Sequence, residues 1–270
     1  MMNVLRSAWA WFSIVTLMIV WVPLVAVVRL FDRDPARYAT GRMFRRVGVA
    51  MTRLNPAWRV RVEGTVPPDM RRPYVVVCNH QSHADIPVVS RLPWEMKWVG
   101  KAELFRIPVA GIMMRLAGDI AVDRDDPRSR ANVISQARGY LAKRCSVIFF
   151  PEGTRSKDGQ LLPFSDGAFR IAIKEGLPIL PLALDGTMNA LPKHGWKFGP
   201  PADIRLAVLD PIPTAGLAAA DTAALRDRVR TLIAERIGAW RGTSAEAVLA
   251  PGQTPAGAVE ETAKRAPGAG

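Results

Sequence analysis

Residues 75–87 read VVVCNHQSHADIP: an apolar run, Val75–Cys78, passes directly into a polar turn carrying His80, His83 and Asp85. The run has the pattern of a buried strand, and the turn that ends it is the kind of irregular connection where a rigid scaffold presents chemistry. The chain holds three histidines, and two of them lie in this turn.

Working outward, short apolar runs alternate with longer amphipathic ones. The pattern predicts strands near 73–78, 96–100, 119–123, 146–150, 179–184 and 204–208. Helices are expected near 85–92, 108–117, 128–144, 167–175 and 221–239. Strands separated by helix-length segments indicate an α/β fold with a largely parallel central sheet flanked by helices. From Arg241 onward the chain is rich in Ala, Gly and Pro with little to bury, so 241–270 reads as a disordered tail after an α/β domain over 58–240.

The first 57 residues are of another kind. Residues 8–28 carry no charge, and a helix of that length reaches roughly 31 Å, the thickness of a bilayer core. Pro23 leaves a re-entrant or interfacial anchor open beside a spanning one. Arg6 precedes the segment, whereas Arg29, Arg33, Arg37, Arg42, Arg45, Arg46 and Arg53 follow it, which places the body on the cytoplasmic side. Residues 35–54 mix those arginines with Met43, Phe44, Val47, Met51 and Leu54. Two readings fit this pattern equally: a basic amphipathic helix on anionic headgroups, or a helix packed on the domain with a solvated basic face. The N-terminal region is thus expected to anchor the protein at the inner, cytoplasmic membrane.

With 37 Lys and Arg against 24 Asp and Glu, the formal net charge is +13 and acidic partners are favoured. No basic run interleaved with aromatics suggests a nucleic-acid face, so no nucleic-acid partner is expected. Cys78 and Cys145 sit in apolar, strand-like segments and read as reduced packing residues.

What the turn does is narrowed by elimination. His80, His83 and Asp85 offer three metal ligands, but no further Cys, Glu or His cluster completes a site, so no metal is expected. Cys78 alternates with His80, yet a buried apolar thiol is inert. No strained G-x-S-x-G elbow supplies a serine nucleophile. Asp85 before Ile86-Pro87 also suits a helix N-cap. A chain that turned after His80 and entered a helix near Asp85 would let that carboxylate meet the imidazole, fix its tautomer and stabilise the imidazolium. A His–Asp pair without a protein nucleophile implies a substrate hydroxyl or water as nucleophile, with His80 as general base. Two more strand ends carry charge: Glu152, Gly153, Thr154 and Arg155 follow 146–150, and Arg124 ends GDIAVDR, residues 118–124. Strand ends delivering His, Asp, Glu and Arg fit the rule that α/β sheets bind ligands at their carboxyl edge, and the arginines suit a phosphate.

These segments resemble the glycerolipid acyltransferase family. N-H-x-S-x-x-D is matched by Asn79 to Asp85, and G-x-I-x-x-x-R by Gly118 to Arg124. FPEGTRS is present from Phe150 to Ser156, and an apolar proline-bearing strand from Leu177 to Leu182. The four blocks keep their order over residues 60–210. One departure stands out: after LLPF, where many relatives carry lysine, this chain has Ser165-Asp166 before Gly167.

The resemblance implies transfer of a fatty acyl group from acyl-CoA or acyl carrier protein to the hydroxyl of 1-acylglycerol-3-phosphate, with no other cofactor. His80 would deprotonate the acceptor and Asp85 orient it. Ser82 and amides at the following helix would support the oxyanion. Arg155 and Arg124 would hold the acceptor phosphate in a pocket shaped by Glu152, Gly153 and Thr154. Lys101 would meet acidic groups of the donor, and His83 would stand by. Its partners are then a lysophospholipid, the acyl donor and anionic membrane lipid. Glycerol 3-phosphate or another lysolipid as acceptor, hydrolysis of the thioester, and a non-catalytic, membrane-anchored lipid-binding protein are the competing readings.

Overall fold

Val75, Val76 and Val77 are all inaccessible to solvent at the centre of the sheet, each contributing about 1.5–3 kcal/mol of burial. The computed structural model describes residues 2–192 and 196–250. It contains seven strands: β1 (Trp58–Gly64), β2 (Val75–Cys78), β3 (Met96–Lys101), β4 (Ile120–Val122), β5 (Ser146–Phe149), β6 (Ile179–Asp185) and β7 (Ala202–Val208). Their spatial order is β1-β7-β6-β2-β5-β3-β4. All neighbours pair in parallel except β6 and β7. Five strands therefore end at one carboxyl edge, and β2 lies between β5 and β6, with Val77 opposite Phe149 and Pro181. The largely parallel α/β sheet is as the sequence indicated.

Nine helices are present among the described residues: α1 (Met2–Phe31), α2 (Tyr38–Leu54), α3 (Asp85–Val89), α4 (Ala110–Ala117), α5 (Pro127–Ala142), α6 (Gly167–Glu175), α7 (Thr187–Ala190), α8 (Thr222–Arg241) and α9 (Ala245–Val248). Local signals explain several boundaries. Asp126 caps α5 by accepting from Arg128 N at 2.8 Å, with Pro127 in the first turn. Between α1 and α2, Asp32 takes both the amide and the hydroxyl of Thr40.

The pleat sends alternate residues to two cores. Val75 and Val77 face a layer with Val133, Phe169, Val229 and Ile233, from α5, α6 and α8. Val76 and Cys78 face the other, with Val88, Trp98, Leu182 and Phe198. A third, smaller cluster joins α1, α2 and α4 through Val25, Val47 and Met113.

The structure adds one strand, corrects one expectation and decides between two readings. Strand β1, WRVRVEG, was absent from the sequence reading. It is an edge strand whose arginines point outward, and Arg59 pairs with Asp203 of β7 at 2.7 Å. Charged, half-exposed edges lack the apolar signal that marks central strands. The tail expected to be disordered from 241 is folded as far as 250. Gly242 ends α8, Ala245–Val248 form α9, and Leu249 bridges to Leu161. Val248 and Leu249 supply the apolar contact that composition averaging hid; residues 251–270 lie outside the described residues. Finally, α2 packs on the domain. Arg45 is buried and Arg42 donates to the carbonyls of Leu92 and Trp94, leaving Arg46 and Arg53 exposed. Gly41 permits this approach, since a Cβ there would lie 1.9 Å from Glu95 Oε1.

Candidate active site

The turn after β2 is built by its own side chains. Asn79 reaches sideways to β6, donating to Leu184 O and accepting from Leu184 N, both at 2.8 Å. This double clamp pins the end of β2 and lets the chain reverse. His80 Nδ1 then lies 2.6 Å from Asp85 Oδ2. The same carboxylate oxygen accepts the amides of Gln81 at 2.8 Å and Ser82 at 3.0 Å. Asp85 is the first residue of α3 and caps backward onto the turn, so its expected N-cap role is not the one it plays.

A carboxylate on Nδ1 fixes the neutral tautomer with its proton there and leaves Nε2 as the basic nitrogen. His80 Nε2 has no hydrogen-bond partner among the described residues. Asp85 is fully buried, whereas the His80 side chain keeps 15% exposure, so only the imidazole meets the outside. Phe150 stacks on the ring with centroids 4.4 Å apart.

The second motif closes on the first. Glu152 is buried and bridges two backbones: Oε1 accepts His80 N at 2.5 Å and Oε2 accepts Leu162 N at 3.0 Å. Ser156 N donates to His80 O at 2.9 Å. Burial pushes the Glu152 carboxyl up to about 8, against the two amides, which favour its charged form. Both carboxylate oxygens are thus used inward, on the scaffold of the turn. Gly153, at a φ of 68°, makes the left-handed turn that FPEGT requires. Thr154 is exposed and Arg155 half-buried beside them, close enough to His83 to oppose its protonation.

Not every predicted residue converges. Ser82 is fully buried, its hydroxyl donating to Leu191 O at 2.6 Å and accepting from Ala84 N at 3.1 Å. The amides expected to face an oxyanion are also committed, those of Gln81 and Ser82 to Asp85 and that of Asp85 to Ser82 O. A short turn that uses its donors to hold one carboxylate has few left for a ligand. Arg124 is exposed beyond β4, on the same carboxyl edge but three strands from β2, roughly 14 Å away. Lys101, at the end of β3, pairs with Glu103 at 2.7 Å. Cys78 is buried, and burial raises its thiol well above the usual range, so it is no nucleophile. Among the described residues no group of three or more His, Cys, Asp and Glu side chains converges on a metal position.

Two features had no sequence reading. Thr187 donates its hydroxyl to Asp85 Oδ1 from the carboxyl end of β6; the strand-end rule that picked out β2, β4 and β5 applied to the Asp185-Gly186-Thr187 stretch as well. An apolar cavity of about 300 Å³ opens against the turn, lined by Trp9, Leu17, Trp58, Phe198 and His83. Its walls come from α1, α2, β1, α3 and the stretch after α7, which no single motif reveals.

Residues 59–185 match the family model described as Acyltransferase. A chloroplast 1-acyl-sn-glycerol-3-phosphate acyltransferase of Brassica napus is 35% identical over 74% of this chain and 58% of its own length. The enzyme so named from Cocos nucifera is 33% identical, over 79% of this chain and 68% of its own. This chain spans 54–58% of the two chloroplast relatives from Brassica napus and Arabidopsis thaliana. The crystal structure of the 1-acyl-sn-glycerophosphate acyltransferase PlsC from Thermotoga maritima superposes with a TM-score of 0.73, at 26% identity, over 88% of this chain and 96% of that one. Fold, motif order and kinship agree: the chain belongs to the acyltransferase family, alongside the 1-acyl-sn-glycerol-3-phosphate acyltransferases.

Proposed function

We propose that this protein transfers a fatty acyl group from an acyl thioester, acyl-CoA or acyl carrier protein, to the free hydroxyl of 1-acylglycerol-3-phosphate. The product is phosphatidic acid for phospholipid synthesis. The observation that carries this reading is the His80–Asp85 pair, 2.6 Å apart, with His80 Nε2 open at the carboxyl edge. Ser82 and Cys78 are both closed off as nucleophiles, so the hydroxyl that attacks belongs to the acceptor. The names of the relatives support the choice of acceptor.

In the reaction His80 Nε2 takes the hydroxyl proton while the oxygen forms a bond to the thioester carbonyl carbon. The C–S bond then breaks, and the imidazolium returns the proton to the departing thiolate. Asp85 keeps the ring oriented and offsets its transient charge, a base contribution of roughly 10²–10⁴-fold. Arg155 beside the turn and Arg124 further along the edge supply cations for the acceptor phosphate. Glu152, whose oxygens are both spent on backbone amides, shapes the turn from within. At the position of the family lysine, Asp166 pairs with Arg226 of α8 at 2.7 Å, so this position supplies no cation to the acceptor phosphate.

The substrate is a lipid, and α1 gives the protein a way to reach it. Ser7–Phe31 is long and apolar enough to cross a membrane, and few of its residues are fully buried against the domain. Both ends of α1 nevertheless touch that domain: Trp11 donates to Trp196 O at 2.7 Å, and Val25 packs with Val47 and Met113. A helix held along the domain in this way suits an anchor lying in the membrane interface, with the site on the cytoplasmic face of the inner membrane.

The test is product formation by detergent-purified protein and its His80→Ala variant, given acyl-CoA or acyl carrier protein and a panel of lysolipids. His80-dependent acylation of 1-acylglycerol-3-phosphate is expected. Preference for another acceptor overturns the substrate assignment, fatty acid release without acceptor points to hydrolysis, and full turnover by His80→Ala removes the mechanism.

A further inference from the structure

The general-base reading uses one oxygen of Asp85. Oδ2 takes His80 Nδ1 and two amides, while Oδ1 faces away from the imidazole into the protein. There it meets a single side-chain donor, the hydroxyl of Thr187, which is 102 residues further along the chain and fully buried. The torsion that swings a carboxylate about its Cβ–Cγ bond has a broad, shallow profile, so bonds to one oxygen leave the plane of the group loosely set. A donor on the second oxygen narrows it.

We propose that Thr187 is a positioning residue: its hydroxyl locks the plane of the Asp85 carboxylate and so the angle at which Oδ2 holds His80. Gln81 offers the hydroxyl a second, more distant acceptor, and its own side chain is held in place. The Thr187 oxygen lies 3.4 Å from Gln81 Oε1, and Gln81 Nε2 donates to Asp185 Oδ1 at 3.0 Å. Asp185 is gripped by Arg241 through two bonds, of 3.0 and 2.6 Å. The hydroxyl has one proton, and it goes to the much closer Asp85. Arg241, the last residue of α8, thus fixes the side chain of Gln81, whose backbone N–H donates to Asp85 Oδ2. A valine would fill the same volume but leave Oδ1 buried without a donor, whereas serine keeps the donor.

This inference rests on His80 acting as base, and the experiment separates the two claims. Wild type, Thr187→Ser, Thr187→Val, Asp85→Asn and the double variant Asp85→Asn/Thr187→Val are assayed with radiolabelled acyl-CoA at saturating acceptor, and each is melted. Thr187→Val should lower kcat about 10–100-fold with KM unchanged within about two-fold, and Thr187→Ser should stay within about three-fold of wild type. Added to Asp85→Asn, Thr187→Val should cost less than about two-fold, because its effect passes through Asp85. An equal loss of kcat in both backgrounds, or a fall in Tm with kcat intact, makes Thr187 merely structural and overturns the proposal. A second readout needs no substrate: the Nδ1 proton of His80, seen far downfield by NMR in wild type and lost in His80→Ala, should move upfield and broaden in Thr187→Val. A wild-type protein that acylates no lysolipid removes the functional reading, and this resonance then decides the positioning role alone. If it is identical in wild type and Thr187→Val, the proposal fails.

Discussion

Two clusters of charge are buried in this molecule, and they are held by different means. At the seam between α2 and the sheet, Arg45 and Lys97 meet Glu95 and Asp119. Arg45 bridges to both oxygens of Asp119 and lies 3.5 Å from Glu95, and Lys97 Nζ lies 3.0 Å from Glu95. Two cations offset two anions, and other donors go to backbone carbonyls such as Ala117 O and Met96 O, while Arg45 Nε and Glu95 Oε2 are buried without a hydrogen-bond partner. At the turn after β2, Asp85 holds the single imidazole and Glu152 its backbone, and four backbone amides and one hydroxyl do the stabilising. Charges neutralised by opposite charges and sealed from solvent on every side present no face to a ligand. Acids held by amides leave the histidine with one committed nitrogen and one open. The first arrangement fastens a helix to a sheet, and the second maintains a base.

The contrast is broken most directly at Arg45. Arg45→Met strands Asp119 and Glu95 in the interior, and removing one partner of a buried pair costs about 3–5 kcal/mol. Scanning calorimetry should show Tm lower by roughly 6–20 °C, with residual activity falling only as the folded fraction falls. His80→Ala should do the reverse, melting close to wild type while losing turnover. If Arg45→Met melts like wild type, the seam does not fasten α2.

Glu152→Gln sharpens the other side with a smaller effect. Above pH about 8, where Glu152 is ionised, glutamine offers one carbonyl oxygen where the carboxylate offers two, so either His80 N or Leu162 N loses its acceptor and faces an NH₂ instead. An unsatisfied buried amide costs about 1–3 kcal/mol. Because that cost falls on the backbone of His80 itself, kcat should drop by about 10–100-fold while KM for 1-acylglycerol-3-phosphate holds. A rise in KM at constant kcat would return Glu152 to the acceptor-binding role that its motif suggested.

The two clusters were also unequally legible. His80, Asp85, Glu152 and Arg155 announce themselves because apolar runs stop abruptly in polar residues, and the run length gives the strand that carries them. The seam left no such trace. Arg45 sits among seven arginines following the apolar segment and looks like one more surface cation, while Glu95 and Lys97 flank a tryptophan-rich strand start. Only the packing of α2 on β3 brings them together across 50 residues. Ser82 failed for the opposite reason: it lies inside the motif, but the turn spends its hydroxyl internally. Spacing therefore located the strand ends, while tertiary contacts decided which side chains look outward.

His83 gives the smallest and finest test. Burial against the cavity, helped by the nearby Arg155 charge, pushes its imidazole down to about 4. In the unfolded chain it titrates near 6.5. Between those values the unfolded state binds a proton that the folded state refuses, so this group removes stability as pH falls from about 6.5 towards 4. Glu152 acts in the opposite direction: raised to about 8 from 4.5, it removes stability as pH rises through that interval. Comparing wild type with His83→Phe cancels the Glu152 contribution, which both proteins share. His83 is exposed by surface area although it borders the cavity, so the net difference should be under about 1 kcal/mol. From pH 5 to pH 7.5 the urea midpoint should shift further downward in His83→Phe than in wild type, because the variant lacks the stability that His83 regains as pH rises and keeps the loss due to Glu152. Equal spacing in the two proteins would mean that His83 titrates normally, and that the wall of the cavity nearest the base is wet.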